Sequence, residues 1–106
     1  MANTFKNSFA KDMGTSAVVI YSATTQTTVI GLTLANTTTS VLTVDVYITS
    51  SATNYYLVKG ATIPPGGALV PVGGDQKLVL ESGDSLRALS SLASSVDVIC
   101  SVLEIT

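Results

Sequence analysis

Between residues 27 and 49 the chain reads TTVIGLTLANTTTSVLTVDVYIT. Across Val41–Thr49 every second residue is apolar: Leu42, Val44, Val46 and Ile48 alternate with Thr43, Asp45, Tyr47 and Thr49. Side chains of a strand point alternately to its two faces, so this pattern lays one face on a core and offers the other to water. Thr27–Ala35 repeats it, with Ile30, Leu32 and Leu34 on one face and Thr27 and Thr33 on the other. The intervening Asn36–Ser40 is a cluster of turn formers. The two segments therefore read as a hairpin joined by a loop of about five residues.

The same period extends outward in both directions. Ala17–Ser22 (AVVIYS) precedes it as a strand, and Tyr55–Lys59 (YYLVK) follows the polar turn at Ser50–Thr53. Ile63-Pro64-Pro65-Gly66-Gly67 stops a strand, because proline withdraws donors and glycine admits positive φ. Ala68–Val72 is a short strand whose Pro71 places it at a sheet edge. Gly73–Asp75 turns into Lys77–Glu81, and Ser82–Asp84 turns into Ser85–Leu89. Ser85–Ser95 also carries Leu86, Leu89 and Leu92 at helical spacing, but its flanking turns favour a strand followed by a loop. Val96–Ile105 is apolar on both sides, as expected of a central strand or one covered on both faces. Eight or so short strands with turns every 8–12 residues indicate an all-β antiparallel β-sandwich, Ig-like or jelly-roll-like. Residues 1–16 show no such period and read as an N-terminal arm ahead of a single domain over 17–106. Phe5 and Phe9 are at helical spacing, which allows a short helix, and the arm is either loose or docks Phe5, Phe9 and Met13 into a neighbouring subunit.

Composition narrows the chemistry. The chain has 106 residues, enough for one core, and 46% of them are apolar. Only 11% are charged, and 15 Thr and 13 Ser take the place of charge. There is no His and no Trp, and Cys100 is the single cysteine. An intramolecular disulfide, a Cys/His zinc site within one chain and imidazole-based catalysis are thereby excluded. Five scattered basic residues against seven acidic ones supply no stripe to track a phosphate backbone, so no nucleic-acid partner is expected. The mean hydropathy of +0.51 is high. Yet the longest apolar run, Ala17–Tyr21, is far short of a spanning helix, so no membrane partner is expected either. No signal peptide is read at the start. A surface this poor in charge resists association weakly and suits a subunit covered by its neighbours.

Catalytic patterns are missing: neither Gly-x-Ser-x-Gly nor Ser-x-x-Lys occurs. Cys100, mid-strand between Ile99 and Ser101, reads as a small buried hydrophobe. Gly74-Asp75 and Glu81–Asp84 are oxygen-rich turns without an EF-hand pattern, better explained as turn caps than as calcium ligands. Asn36-Thr37-Thr38 matches a glycosylation acceptor and is most simply a turn. Tyr47, Tyr55 and Tyr56 offer aromatic surface for recognition. Tyr55 and Tyr56 fall on opposite faces, which sends one of them to the core.

The runs Thr28–Asn36, Val44–Ile48, Tyr55–Pro64, Gly73–Asp84, Ala93–Ile99 and Ser101–Thr106, with the opening Met1–Phe5, resemble small virion structural proteins of tailed bacteriophages, of a type found among phages of aquatic bacteria, including cyanophages. These motifs are strand, turn and edge residues. The resemblance implies a virion β-sandwich with no catalytic residues and no cofactor. It implies a homo-oligomer placed on the capsid as cement or decoration, or in the head–neck region. Its partners would be capsid, portal or tail subunits, and it would be made in the bacterial host cytoplasm. Phe5, Phe9, Met13 and Pro71 are the expected subunit contacts. The alternative expectation is a tail or fibre-associated adhesion module that binds host glycan or protein through Tyr47 with Tyr55 or Tyr56.

Overall fold

The computed structural model describes residues 3–73 and 77–105. Nine strands and no helix are found among them: β1 (Asn3–Met13), β2 (Val18–Ser22), β3 (Thr27–Asn36), β4 (Leu42–Ser50), β5 (Thr53–Ile63), β6 (Ala68–Val72), β7 (Leu78–Leu80), β8 (Ser85–Ser90) and β9 (Val96–Ile105). Two antiparallel sheets face each other. One has the order β1-β9-β3-β6, with β7 also paired to β3, and the other has the order β2-β8-β4-β5.

This order is that of a jelly roll. The chain behaves as a long antiparallel ribbon in which β1 pairs with β9, β2 with β8, β3 with β6 and β7, and β4 with β5. Wrapping the ribbon adds the β3–β9 and β4–β8 pairings and closes the two sheets over one core. The all-β sandwich read from the sequence is therefore correct, and the jelly roll is the member of that class adopted.

Three expectations are corrected. β3 and β4 do not form a hairpin: they lie in different sheets, and Asn36–Ser40 crosses between them. Alternation tells which side of a strand is buried and is silent on which strand lies beside it. The tight hairpin is β4–β5, where Ser50 pairs with Thr53 around Ser51 and Ala52. Both of these residues have positive φ, +50° and +64°, as a two-residue type I′ turn requires. Ser50–Thr53 reads as a polar turn in the sequence, but without the usual Asn-Gly signature of a two-residue hairpin. Second, the segment read as an arm is β1, an 11-residue edge strand paired along β9 from Asn3↔Ile105 to Met13↔Val96.

The third correction concerns β3. The β3–β9 register shifts between Val29 and Gly31. This bulge makes Ile30 an extra residue and reverses the phase on one side of it. Thr27 and Val29 are consequently buried together with Leu32 and Leu34, while Ile30 stands on the outer face. The core is otherwise as the alternation implies: Leu42, Val44 and Val46 of β4 meet Val96, Val98, Cys100 and Val102 of β9 across the sandwich. Ser85–Ser90 is a strand and 91–95 a loop, so the helical spacing of the leucines was incidental. The type II turn at Pro64–Gly67 is closed by Gly67 N–H donating to the Pro64 carbonyl at 2.9 Å, with Gly66 at φ +70°.

Candidate functional site

β1, β9 and β3 together build the outer face of their sheet. Register sets its rows: Phe5 lies opposite Leu103, Asn7 opposite Ser101, and Phe9 opposite Ile99. On the far side of β9, Leu103 faces Thr28, Ser101 faces Gly31, and Ile99 faces Thr33. Phe5, Phe9 and Ile99 remain 74%, 68% and 51% exposed, an unusual position for three large apolar side chains that share one surface. β9 is thus central in pairing, yet its outer face is open in the single chain. The middle row carries only small side chains, and beside it lies a hollow of about 270 Å³ lined by Phe5, Lys6, Asn7, Ile30, Ser101 and Val102. Ser101 Oγ donates to Asn7 Oδ1 at 2.8 Å across its floor.

Charges fringe this surface. Lys11 Nζ lies 2.9 Å from an Asp97 carboxylate oxygen, and the Asp12 amide donates to the other oxygen. The Lys11 ammonium, then the Asp12 amide, hold the Asp97 carboxyl below its ordinary value. Lys6 lies 3.0 Å from Glu104 on the inner side of β1, where the Tyr21 hydroxyl donates to the same carboxylate. Tyr21 first and Lys6 second depress Glu104, and Glu104 in turn raises Lys6. These bonds fasten β1 to β9 and β2.

The other expected contacts are distributed differently. Met13 is 2% exposed in the chain's own core, so it is an internal anchor and not a contact for a neighbour. Pro71 is half-buried on β6, which is an edge strand as its proline implied. Tyr47 and Tyr56 pair across β4–β5 with ring centroids 5.0 Å apart. Tyr47 is buried beneath its neighbours, and the Lys59 ammonium covers the Tyr56 ring at 4.6 Å. Tyr55 points to the opposite face and is exposed, so neither Tyr55 nor Tyr56 belongs to the core. The three tyrosines do not form one recognition surface.

Cys100 is fully buried, and burial pushes its thiol up to about 11. The described residues hold no cluster of three or more Cys, Asp or Glu placed to ligate a metal. The turn at Glu81–Asp84 is accounted for by Asp84, whose carboxylate accepts the Glu81 amide. Gly74 and Asp75 lie outside the described residues.

No family model matches this sequence, and no curated protein matches it. Among solved structures, the fold is similar to that of a chain from Bacillus endospore appendages, described as forming a novel family of disulfide-linked pili. The similarity covers 99% of this chain and 87% of that one, with a TM-score of 0.58 and 15% identity.

Proposed function

We propose that this chain is a non-enzymatic structural subunit that acts by repetition in an external particle, and that the particle is a tailed-phage virion, with the subunit on the head or neck. The observation that carries the reading is the outer face of the β1-β9-β3-β6 sheet, where Phe5, Phe9 and Ile99 are exposed together. Such a face is unfavourable in water and favourable against another protein. The sequence supports a virion location through its resemblance to small phage structural proteins. The appendage protein of similar fold belongs to disulfide-linked pili. In this chain the one cysteine is sealed in the core, so its assembly is held by non-covalent contacts.

Immunogold labelling with antibody against the purified chain tests this on virions released from the host that carries the gene. Label on intact heads or necks, unchanged after treatment with a thiol reductant, is the expected result. Label confined to host filaments would move the subunit to an appendage. Label on neither would remove the structural reading.

A further inference from the structure

We propose that two copies of this chain pack through the outer faces of the β1-β9-β3-β6 sheets about a two-fold axis, the Phe9 ring of each copy seated in the hollow beside Asn7 and Ser101 of the other. The inference deepens the structural-subunit reading and rests on it, by naming the partner as a second copy.

Shape supports the pairing. The same face carries a projecting ring, Phe9, and one row away a depression of about 270 Å³. A void of ~150 Å³ already accepts a benzene ring, so this one is roomy enough for a phenylalanine. A surface that carries both knob and hole satisfies itself under two-fold symmetry, because each contact is then made twice. The natural cover for a twisted antiparallel sheet is another sheet laid across it with interleaved side chains.

Area and charge agree. β1 runs in register with β9 from Asn3 to Ala10. At about 3.4 Å per residue and about 4.8 Å between four strands, the face spans roughly 500 Å² in projection, hence roughly 1,000 Å² when two copies meet. That meets the ~1,000 Å² floor for a specific interface and falls below the ~1,200–2,000 Å² of a standard one, as suits a reversible dimer. Among the described residues, Lys11 and Asp97 beside the apolar rows pair at 2.9 Å, Lys6, which also lines the hollow, pairs with Glu104 at 3.0 Å, and the net charge of −2 adds little repulsion between copies.

Sedimentation equilibrium of the full chain tests the proposal, with Phe9→Glu, Ser101→Leu and, as a control on the other sheet, Tyr55→Glu. Phe9→Glu puts a charge into the hollow, and Ser101→Leu fills it. Phe9 is exposed and Ser101 is half-buried on the outer face, away from the core, so thermal melts of dilute samples should stay close to the parent. The expected result is a concentration-dependent dimer, weakened at least about tenfold by either variant and untouched by the control. A parent that associates equally well with both variants would overturn this face while leaving the subunit reading in place. A parent that stays monomeric at about 1 mM would also overturn the pairing, whatever the virion label shows.

Discussion

Asn36 ends β3 with its side chain inside the protein, 3% exposed, and both of its polar atoms are used. Its Nδ2 donates to the carbonyls of Ser40, Ile63 and Pro64, and its Oδ1 accepts from the Thr38 amide and hydroxyl. The residue thereby ties the crossover between the sheets to the end of β5, and an amide so enclosed is not open to a glycan. Asn36→Ala removes the buried bond to the Ile63 carbonyl together with those to Ser40 and Pro64 nearer the surface, and is expected to cost about 1–3 kcal/mol in urea unfolding. A loss below about 0.5 kcal/mol would show that backbone bonds alone, such as Asn36 N–H to the Gly67 carbonyl, hold the crossover. The sequence marked Asn36 as a turn residue. It gave no sign of the buried bonds, because two of their acceptors lie 27 and 28 residues away.

At the scale of the elements, β1 is the strand least committed to the core. Apart from Met13, and Ser8 and Ala10 in part, its side chains are exposed, and it is bonded along one edge only. β9, β3, β8 and β4 are each flanked on both sides. Opening of an edge strand exposes little apolar surface, so native-state hydrogen exchange at dilute concentration should release the β1 amides first, at least about tenfold faster than the β9 amides that bond β3. Equal protection of β1 and β9 would show that β1 opens only with the whole fold. The bulge in β3 belongs to this scale too. Without it Ile30 would turn inward and Val29 outward, and the hollow would lose one wall. A bulge adds one residue to one strand, and nothing in Val29-Ile30-Gly31 announces it except the glycine.

Across the whole molecule, two ion pairs, Lys6–Glu104 and Lys11–Asp97, fasten β1 to β9, while Lys59–Asp45 joins β5 to β4, and the first two carry the carboxyls that are held low. The Asp97 and Glu104 carboxyls are held low, so the stability they contribute is complete above about pH 5 and is lost as the pH falls through their folded values. Lys6 and Lys11 are held high by these same carboxylates. Tyr21 is held high too, by burial first and by its bond to Glu104 second. Their contribution is complete below about pH 10 and is lost as the pH rises further. Melting temperature should accordingly run flat through the middle range and fall at both ends. In the Glu104→Gln, Asp97→Asn double variant the plateau should drop slightly and the acid arm flatten. An acid arm unchanged in that variant would assign it to other carboxylates.

By itself the sequence determined the class of the fold and most of its parts. Period-two apolarity marks strands locally, proline and glycine mark their ends, and the absence of histidine removes whole classes of chemistry without reference to any contact. It also marked the edge position of Pro71. Only the tertiary structure decided which strands are neighbours, that residues 3–13 form an edge strand of the sheet, that Met13 and Tyr47 are covered, and that Phe5 and Phe9 share a face with Ile99. Strand pairing and the sharing of a face are set between residues as far apart as 3 and 105. Alternation records the side on which a residue lies, and it carries no information about what lies opposite.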